Sequence, residues 1–196
     1  MVGGILIAAT AEEHVRWATI IKEVHICDGD NYIAYQHPAT AHTTAVPAVA
    51  LTKTPFYRLF SVSTMDRCYT TNVAERDACM ENGYSLEPTA AMILACPSPE
   101  GDSVPLFRLY IDGKDHFYTT SAVEKELVVR RGESTFDEGI AGYVYICPKD
   151  GTIPLYRMYH PVIRDHCYTA NAAERKNCIG SGWKDEGIAC YVYPSA

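Results

Sequence analysis

The sequence predicts a β-rich α+β fold built from three tandem copies of one unit of about 49 residues. The first observation is a pattern that occurs three times, at residues 55–98, 105–148 and 154–194. The second is a shared tyrosine, present as Tyr69, Tyr118 and Tyr168, at intervals of 49 and 50 residues. The third is the order of strand-like and helix-like patterns, which is the same in every copy. Self-similarity at a fixed period is typical of a modular fold.

Each copy begins with two predicted strands. The first is short, aromatic-rich and bounded by proline, as at residues 154–159, and the second carries the shared tyrosine, as at residues 165–169. Aromatic and β-branched residues between turn residues are typical of strands.

A short helix is predicted next in each copy. A Ser or Asn that can cap the helix stands three residues before an acid, which is a helix-start signal. These pairs are Asn72 with Glu75, Ser121 with Glu124, and Asn171 with Glu174. A glycine lies near the predicted helix end, and an apolar segment then returns as a third strand. The unit is therefore strand, strand, helix, strand.

The packing of three such units predicts a pseudo-threefold, β-trefoil-like arrangement. A small propeller-like assembly is the alternative that the sequence leaves open, since a helix in each copy is atypical of a plain trefoil. Residues 1–54 form an extension with a predicted helix from Thr10 to about Lys22, a strand at residues 24–27 and a loop at residues 38–47. This extension is either an unrelated segment or a degenerate fourth copy, because residues 24–27 resemble residues 144–147.

Charge and hydropathy exclude two classes of partner. The net charge of −7 argues against nucleic acid, whose binding requires clustered Lys and Arg. No apolar run has the length of a membrane span, so no membrane insertion is expected. The chain begins without the basic segment of a signal peptide. A homodimer is compatible with the composition.

The cysteines are informative when the copies are compared. Cys68 and Cys79 in the first copy correspond to Cys167 and Cys178 in the third, whereas the second copy has Phe117 and Val128 at those positions. Joint presence and absence predicts that the two side chains touch, and we expect disulfides Cys68–Cys79 and Cys167–Cys178. Such bridges indicate an oxidising compartment and favour a secreted protein. The pairing of the remaining cysteines stays open: Cys27, Cys96, Cys147 and Cys190.

The repeated pattern, Tyr-Arg-Leu-Tyr, His-Phe-Tyr-Thr-Thr and Gly-Trp-x-x-Glu-Gly-Ile-Ala-x-Tyr-Val, resembles a tandem repeat family of uncharacterised function. That family occurs in fungal proteins and in secreted bacterial proteins, often next to hydrolase domains. The resemblance covers about residues 55–194. It implies a non-catalytic, lectin-like module that recognises carbohydrate or a cell surface.

The motifs favour binding over catalysis. The sequence contains no Gly-x-Ser-x-Gly, His-Glu-x-x-His or phosphate-binding glycine loop, so neither an enzyme nor a cofactor is predicted. Cys-x-x-Cys pairs are absent, and residues 28–31 lack the further ligands of a calcium loop, so no metal is predicted.

Candidate ligand residues are aromatic and polar side chains that recur in the second and third copies. A sugar site combines an aromatic face with fixed polar groups. The candidates are Asp115, His116, Tyr118, Glu138, Asp165, His166, Tyr168, Trp183 and Glu186. In the first copy Arg67, Tyr84 and Pro88 replace the histidine, tryptophan and glycine, so that site is expected to be lost or altered.

Structural roles are the alternatives for several of these residues. Trp183 could fill the core, and the arginines Arg58, Arg108 and Arg157 could pair with the helix acids Glu75, Glu124 and Glu174. The sequence therefore predicts a lectin-like binder of glycans or glycoproteins. The alternative is a structural or defence protein, such as a protease inhibitor, that uses the repeats as a scaffold.

Overall fold

The computed structural model describes residues 51–131 and 134–195, together with the backbone of two N-terminal strands. The chain divides into two compact units, Met1–Pro47 and Ala48–Ala196. In the first unit, β1 (Glu23–Asp28) and β2 (Asn31–Gln36) form an antiparallel hairpin. This hairpin confirms the strand predicted at residues 24–27. The predicted helix from Thr10, the loop at 38–47 and the turn residues 29–30 lie outside the described residues.

The second unit repeats one order of elements three times. The elements are β3 (Lys53–Ser61), β4 (Asp66–Thr70), α1 (Val73–Glu81), β5 (Ser85–Leu94), β6 (Val104–Ile111), β7 (Asp115–Thr119), α2 (Ala122–Arg131), β8 (Thr135–Val144), β9 (Ile153–His160), β10 (Asp165–Thr169), α3 (Ala172–Gly180) and β11 (Lys184–Val192). The predicted order of strand, strand, helix and strand is confirmed in each segment.

The strands form two antiparallel sheets. The larger has the order β4-β3-β5-β8-β6-β7 and curls into a half-barrel, and the smaller has the order β10-β9-β11. The two halves of the larger sheet pair at Leu94 and Tyr143. Met92 pairs with Tyr193 and Tyr145 pairs with Tyr191, which connects the small sheet to both halves. The fold is therefore β-rich α+β, as predicted.

The three helices begin where the capping residues predict. The side chain of Asn72 accepts hydrogen bonds from the backbone N–H groups of Ala74 and Glu75, and Asn171 caps α3 in the same way. In α2, Ser121 Oγ accepts a hydrogen bond from the Glu124 N–H at 3.1 Å. None of the helices has a buried residue, so the core belongs to the strands. Among the described residues, no helix is long and apolar enough to cross a membrane.

Three fully buried tyrosines, Tyr69, Tyr118 and Tyr168, meet in the core. Their rings contact one another edge to face, with centroids 5.3–5.5 Å apart. The Tyr118 hydroxyl accepts a hydrogen bond from the Tyr69 N–H at 2.8 Å and donates one to the Tyr69 carbonyl at 2.7 Å. The Tyr168 hydroxyl bonds Tyr118 in the same way, and the Tyr69 hydroxyl bonds Tyr168. We call this closed cycle of six hydrogen bonds the tyrosine ring.

The tyrosine ring satisfies polar groups that are far from water. A buried donor or acceptor without a partner costs about 1–3 kcal/mol. Each hydroxyl satisfies both backbone groups of one tyrosine in another copy, so the three copies depend on one another in the core.

The predicted disulfides are corrected by the structure, because Cys68, Cys79, Cys167 and Cys178 are free thiols. The two thiols of each pair still interact, since hydrogen bonding from Cys79 raises the pKa of Cys68 and hydrogen bonding from Cys178 raises that of Cys167. The expectation of secretion, which depended on these bridges, loses that basis. Cys96 and Cys190 are also free thiols.

Candidate functional site

An aspartate at the start of each second strand joins one copy to the next. Asp66 accepts hydrogen bonds from the backbone N–H of His116 at 3.0 Å and from its ring Nδ1 at 2.7 Å. Asp115 binds His166 at the same two distances. Asp165 binds the backbone N–H of Arg67 at 3.1 Å and its guanidinium at 2.5 Å. We name the three junctions boundary 1–2, boundary 2–3 and boundary 3–1, after the copies that they join.

A carboxylate and an arginine extend each junction. At boundary 2–3, Glu186 Oε2 lies 3.6 Å from His166 Nε2 and 2.7 Å from Arg157 Nε. Arg157 also binds both oxygens of Glu124, at 2.9 and 3.0 Å. Burial opposes ionisation of Glu124, but hydrogen bonds from Arg157 and Thr119 prevail and lower its pKa. Both acids therefore have a cationic partner.

The same arginine connections occur at the other junctions. Arg108 lies 2.7 Å from Glu75 and 2.9 Å from Glu138. Arg58 lies 2.9 Å from Glu174 and 2.8 Å from Glu87. The predicted pairing of arginines with helix acids is confirmed, and each pair connects two different copies.

Glycine shapes the strand that carries the acid in two of the copies. Gly139 and Gly187 follow Glu138 and Glu186 with φ angles of 88° and 86°. Glycine adopts this left-handed conformation without steric cost, and the strand register shifts beside both residues. Proline cannot adopt such an angle, yet Glu87 before Pro88 still contacts its arginine.

Strand register identifies one position at which the boundaries differ. Ile111 pairs with Thr135 in the second copy. Tyr84 in the first copy and Trp183 in the third occupy the position of Thr135, because the residue after each of them pairs in the same register as the residue after Thr135. The Tyr84 hydroxyl donates a 2.6 Å hydrogen bond to Asp66. Trp183 lies beside Arg67, whose guanidinium carbon is 5.1 Å from the ring centroid. Two boundaries thus have an aromatic ring at this position, and boundary 2–3 has a threonine.

A cleft of about 240 Å³ opens at boundary 2–3. Its lining comprises Ile111, Lys114, Asp115, Tyr159, Arg164, His166 and Glu186. A second cleft of about 440 Å³ lies beside it and shares Ile111, His166 and Glu186. The second cleft extends along α2, where Val123, Leu127 and Arg131 line it. The two clefts together form an elongated groove, which we call the boundary 2–3 groove.

Comparison with known proteins identifies a family. Residues 30–145 and residues 55–193 each match the family described as a domain of unknown function, DUF5648. The chain belongs to this family. The two overlapping matches end 48 residues apart, which is compatible with the repeat family that the sequence resembles. No curated protein and no solved structure matches the chain.

In this DUF5648 chain, the predicted ligand residues fall into different groups from those expected. The prediction grouped them copy by copy, whereas Asp115 of the second copy lies with His166 and Glu186 of the third in the boundary 2–3 groove. His116 and Glu138 lie together at boundary 1–2, with the ring nitrogen 3.7 Å from the carboxylate.

Two predicted ligand residues, Tyr118 and Tyr168, belong to the core. Their side chains have no exposed surface, and their hydroxyls bind backbone groups in the tyrosine ring. We therefore withdraw both as ligand contacts. Trp183 is half-buried and packs against His160, with ring centroids 5.2 Å apart. Asp165 is fully buried under Arg67.

Sequence reasoning missed Lys114, Tyr159 and Arg164, which line the cleft. The signal was present for two of them, because Lys114 and Arg164 stand directly before the junction aspartates of their copies. Tyr159 also packs against the His166 ring, with centroids 4.7 Å apart.

The junction aspartates form a compact cluster of carboxylates. One oxygen from each of Asp66, Asp115 and Asp165 lies within 4.8 Å of the others. Burial raises the pKa of Asp165 to about 7, with the charge of Asp115 adding to the effect and Arg67 opposing it. All six oxygens already accept hydrogen bonds from histidine, arginine or backbone groups. A cation would have to displace these donors, so the cluster connects the three copies.

Proposed function

We propose that the chain is a non-catalytic, lectin-like protein that binds glycans or glycoproteins in the boundary 2–3 groove. The observation that carries the proposal is the convergence of an aromatic ring, fixed carboxylates and cationic side chains in one open cleft. Tyr159, Glu186 and Lys114 represent these three kinds of group. Sugars present an apolar ring face and a set of hydroxyls, which require this combination.

Rigidity of the cleft supports the proposal. Asp115 fixes His166 through one hydrogen bond to the backbone N–H and one to the ring, and Arg157 fixes Glu186. Groups that are already in place lose little conformational entropy when a ligand binds. The combined size of the two clefts falls in the range of small-ligand sites, about 300–1,000 Å³.

The engagement of the carboxylates supports a non-catalytic role. A carboxylate that serves as general acid or base exchanges a proton directly with the reacting group. Asp115 already accepts two hydrogen bonds, and Glu186 is paired with an arginine. We therefore propose that the groove binds its ligand without changing it.

We also propose that the three copies close around a pseudo-threefold axis that passes through the tyrosine ring. The six hydrogen bonds of the ring support this arrangement, as do the three junctions between copies. Within each copy the first strand lies between the second and the third, and the second strands carry the ring tyrosines. These contacts favour the small propeller-like assembly over the β-trefoil-like one.

A glycan array with purified protein tests the proposed function. We expect one group of related glycans to bind, and we expect Thr135→Tyr to weaken that binding, because a tyrosine at this position would reach Asp115 in the groove as Tyr84 reaches Asp66 at boundary 1–2. The matched control is Val62→Tyr, which adds the same ring at a position that is 71% exposed and outside the groove. Val62→Tyr should bind as well as the natural chain.

Two results would contradict the proposal. One is the absence of binding to any glycan, and the other is binding that Thr135→Tyr leaves unchanged while the variant stays folded. A parallel assay of protease inhibition covers the defence alternative, and inhibition without glycan binding would favour it.

A further inference from the structure

We infer that the boundary 2–3 groove selects an acidic glycan, one that carries a carboxylate or a sulfate, over a neutral one. The inference rests on the proposed function and names the ligand class of the same groove. It is carried by the position and pairing of two cationic side chains, Lys114 and Arg164.

The residue before each junction aspartate contributes to the charge of a boundary. It is Met65 in the first copy, Lys114 in the second and Arg164 in the third. Boundary 2–3 brings the residues of the second and third copies into one cleft, so it receives two cations. At this sequence position, boundaries 1–2 and 3–1 each combine one cation with the methionine, and the further cation of boundary 3–1, Arg67, is already bound to Asp165.

The acidic groups of the cleft already have hydrogen-bonding or ionic partners within the protein. Asp115 is bound by His166, and Glu186 is paired with Arg157 at 2.7 Å. Lys114 is half-buried, and its ammonium makes no ion pair with any residue that the structure describes. An ammonium without an internal anion is free to bind one from a ligand, and such charge-assisted hydrogen bonds are about twice as strong as neutral ones.

Arg164 provides a second, weaker cation at the mouth of the cleft. Its guanidinium binds Asp112 at 2.5 Å, and the two side chains are 55% and 40% exposed. Exposed ion pairs contribute little free energy, so Arg164 can exchange Asp112 for a ligand anion at small cost. The lining of the whole groove has four cationic side chains, Lys114, Arg131, Arg157 and Arg164, and three acidic ones, Asp115, Glu124 and Glu186, whereas the whole chain has a net charge of −7.

Titration calorimetry with three trisaccharides of galactose tests the inference: the neutral sugar, the galacturonate and the sulfated form. We expect each acidic sugar to bind at least tenfold more tightly than the neutral one at low ionic strength, and we expect the difference to shrink at 1 M salt. Lys114→Met, which copies the side chain of the first repeat, should weaken acidic binding about tenfold and weaken neutral binding much less. Arg164→Gln should have a smaller effect in the same direction.

The matched control is Lys176→Gln, which removes one positive charge from an exposed position on α3 outside the groove. It should leave all three affinities unchanged. Comparing the galacturonate with the sulfated sugar identifies which anion the groove prefers, and sensitivity of either one to Lys114→Met supports the inference.

The possible failures are distinguishable. Equal binding of neutral and acidic sugars would overturn the inference and leave the proposed function intact. Acidic binding that Lys114→Met does not weaken, or that Lys176→Gln weakens equally, would place the anion elsewhere and also overturn it. If no glycan on the array or in the titrations binds, the proposed function fails together with the inference.

Discussion

Boundary 1–2 and boundary 2–3 contain the same chain of aspartate, histidine, glutamate and arginine, but they differ in the residue beside it. At boundary 1–2, Tyr84 donates its hydroxyl to Asp66, whereas boundary 2–3 has Thr135 at the matching register position and an open cleft. The shared chain therefore connects the copies, and we propose that the neighbouring residue accounts for the difference in open space between the two boundaries. A repeated polar network is by itself weak evidence for a repeated binding site.

The largest expected effect comes from removing the junction aspartates. Asp66 accepts three hydrogen bonds and Asp115 accepts two, and a buried donor without a partner costs about 1–3 kcal/mol. We expect Asp66→Ala to lower the free energy of unfolding by about 4 kcal/mol and Asp115→Ala by about 3 kcal/mol. Urea denaturation measures both. Equal losses, or a larger loss for Asp115→Ala, would contradict the stronger role of boundary 1–2.

A Tyr84→Thr variant makes boundary 1–2 resemble boundary 2–3, which has a threonine at the same position. The variant loses a half-buried ring and the hydrogen bond to Asp66, so we expect the free energy of unfolding to fall by about 2 kcal/mol. Thermal and urea denaturation measure the loss. The control Tyr84→Phe keeps the ring, and we expect it to lose about 1 kcal/mol. A Tyr84→Phe variant as unstable as Tyr84→Thr would show that the hydroxyl, and not the volume of the ring, accounts for the contribution.

Trp183→Ala has a smaller expected effect. The ring contacts Arg67 and His160 at boundary 3–1 and does not line the boundary 2–3 groove. We expect a loss of about 1–2 kcal/mol in stability, since a cation–π contact and a half-buried ring are removed. Glycan binding should be unchanged on the array that tests the proposed function. A loss of binding by the folded variant would indicate that the ligand binds at boundary 3–1 and would contradict this prediction.

The smallest effect concerns thiol reactivity, which distinguishes the first and third copies from the second. The hydrogen bond from Cys68 lowers the pKa of Cys79 to about 7, and Cys167 does the same for Cys178. An ordinary thiol has a pKa of about 8.5, so both cysteines hold more thiolate at neutral pH. We expect their alkylation by iodoacetamide to rise as the pH increases from 6 to 7 and to level off by pH 8.

The control for this prediction is Cys68→Ala, which removes the hydrogen-bond donor and should shift the alkylation profile of Cys79 toward higher pH. Peptide mass spectrometry after timed alkylation gives the rate at each cysteine. A profile of Cys79 that Cys68→Ala leaves unchanged would contradict the hydrogen bond as its cause.

Local patterns made much of the fold predictable. The period of the shared tyrosine, the capping pairs such as Asn72 with Glu75, and the proline-bounded strands all depend on residues close in sequence. The contact between Cys68 and Cys79 was also predictable, because their loss in the second copy is joint. Their covalent state was not, because sequence spacing does not determine whether two neighbouring sulfurs are oxidised.

The candidate site was only partly predictable, since its residues come from two copies. His166 meets Asp115 from the preceding copy, a partnership across 51 residues that no local pattern encodes. The tyrosines were misleading for a related reason. All five residues of β10 are buried, so this strand lacks the alternation that distinguishes an outward-facing side chain from a core one.

The tyrosine ring also determines when the fold can be completed during protein synthesis. Tyr69 and Tyr168 are 99 residues apart, and their two hydrogen bonds need both ends of the second unit. The first copy leaves the ribosome long before the third copy is synthesised. During that interval Tyr69 lacks both the Tyr168 carbonyl that accepts its hydroxyl hydrogen bond and the Tyr168 ring that it packs against. Contacts over such separations also slow folding, because the loop must close before they form. We therefore expect a nascent chain to remain protease-sensitive as long as it ends before residue 168. It should become resistant only after Tyr168 has left the exit tunnel.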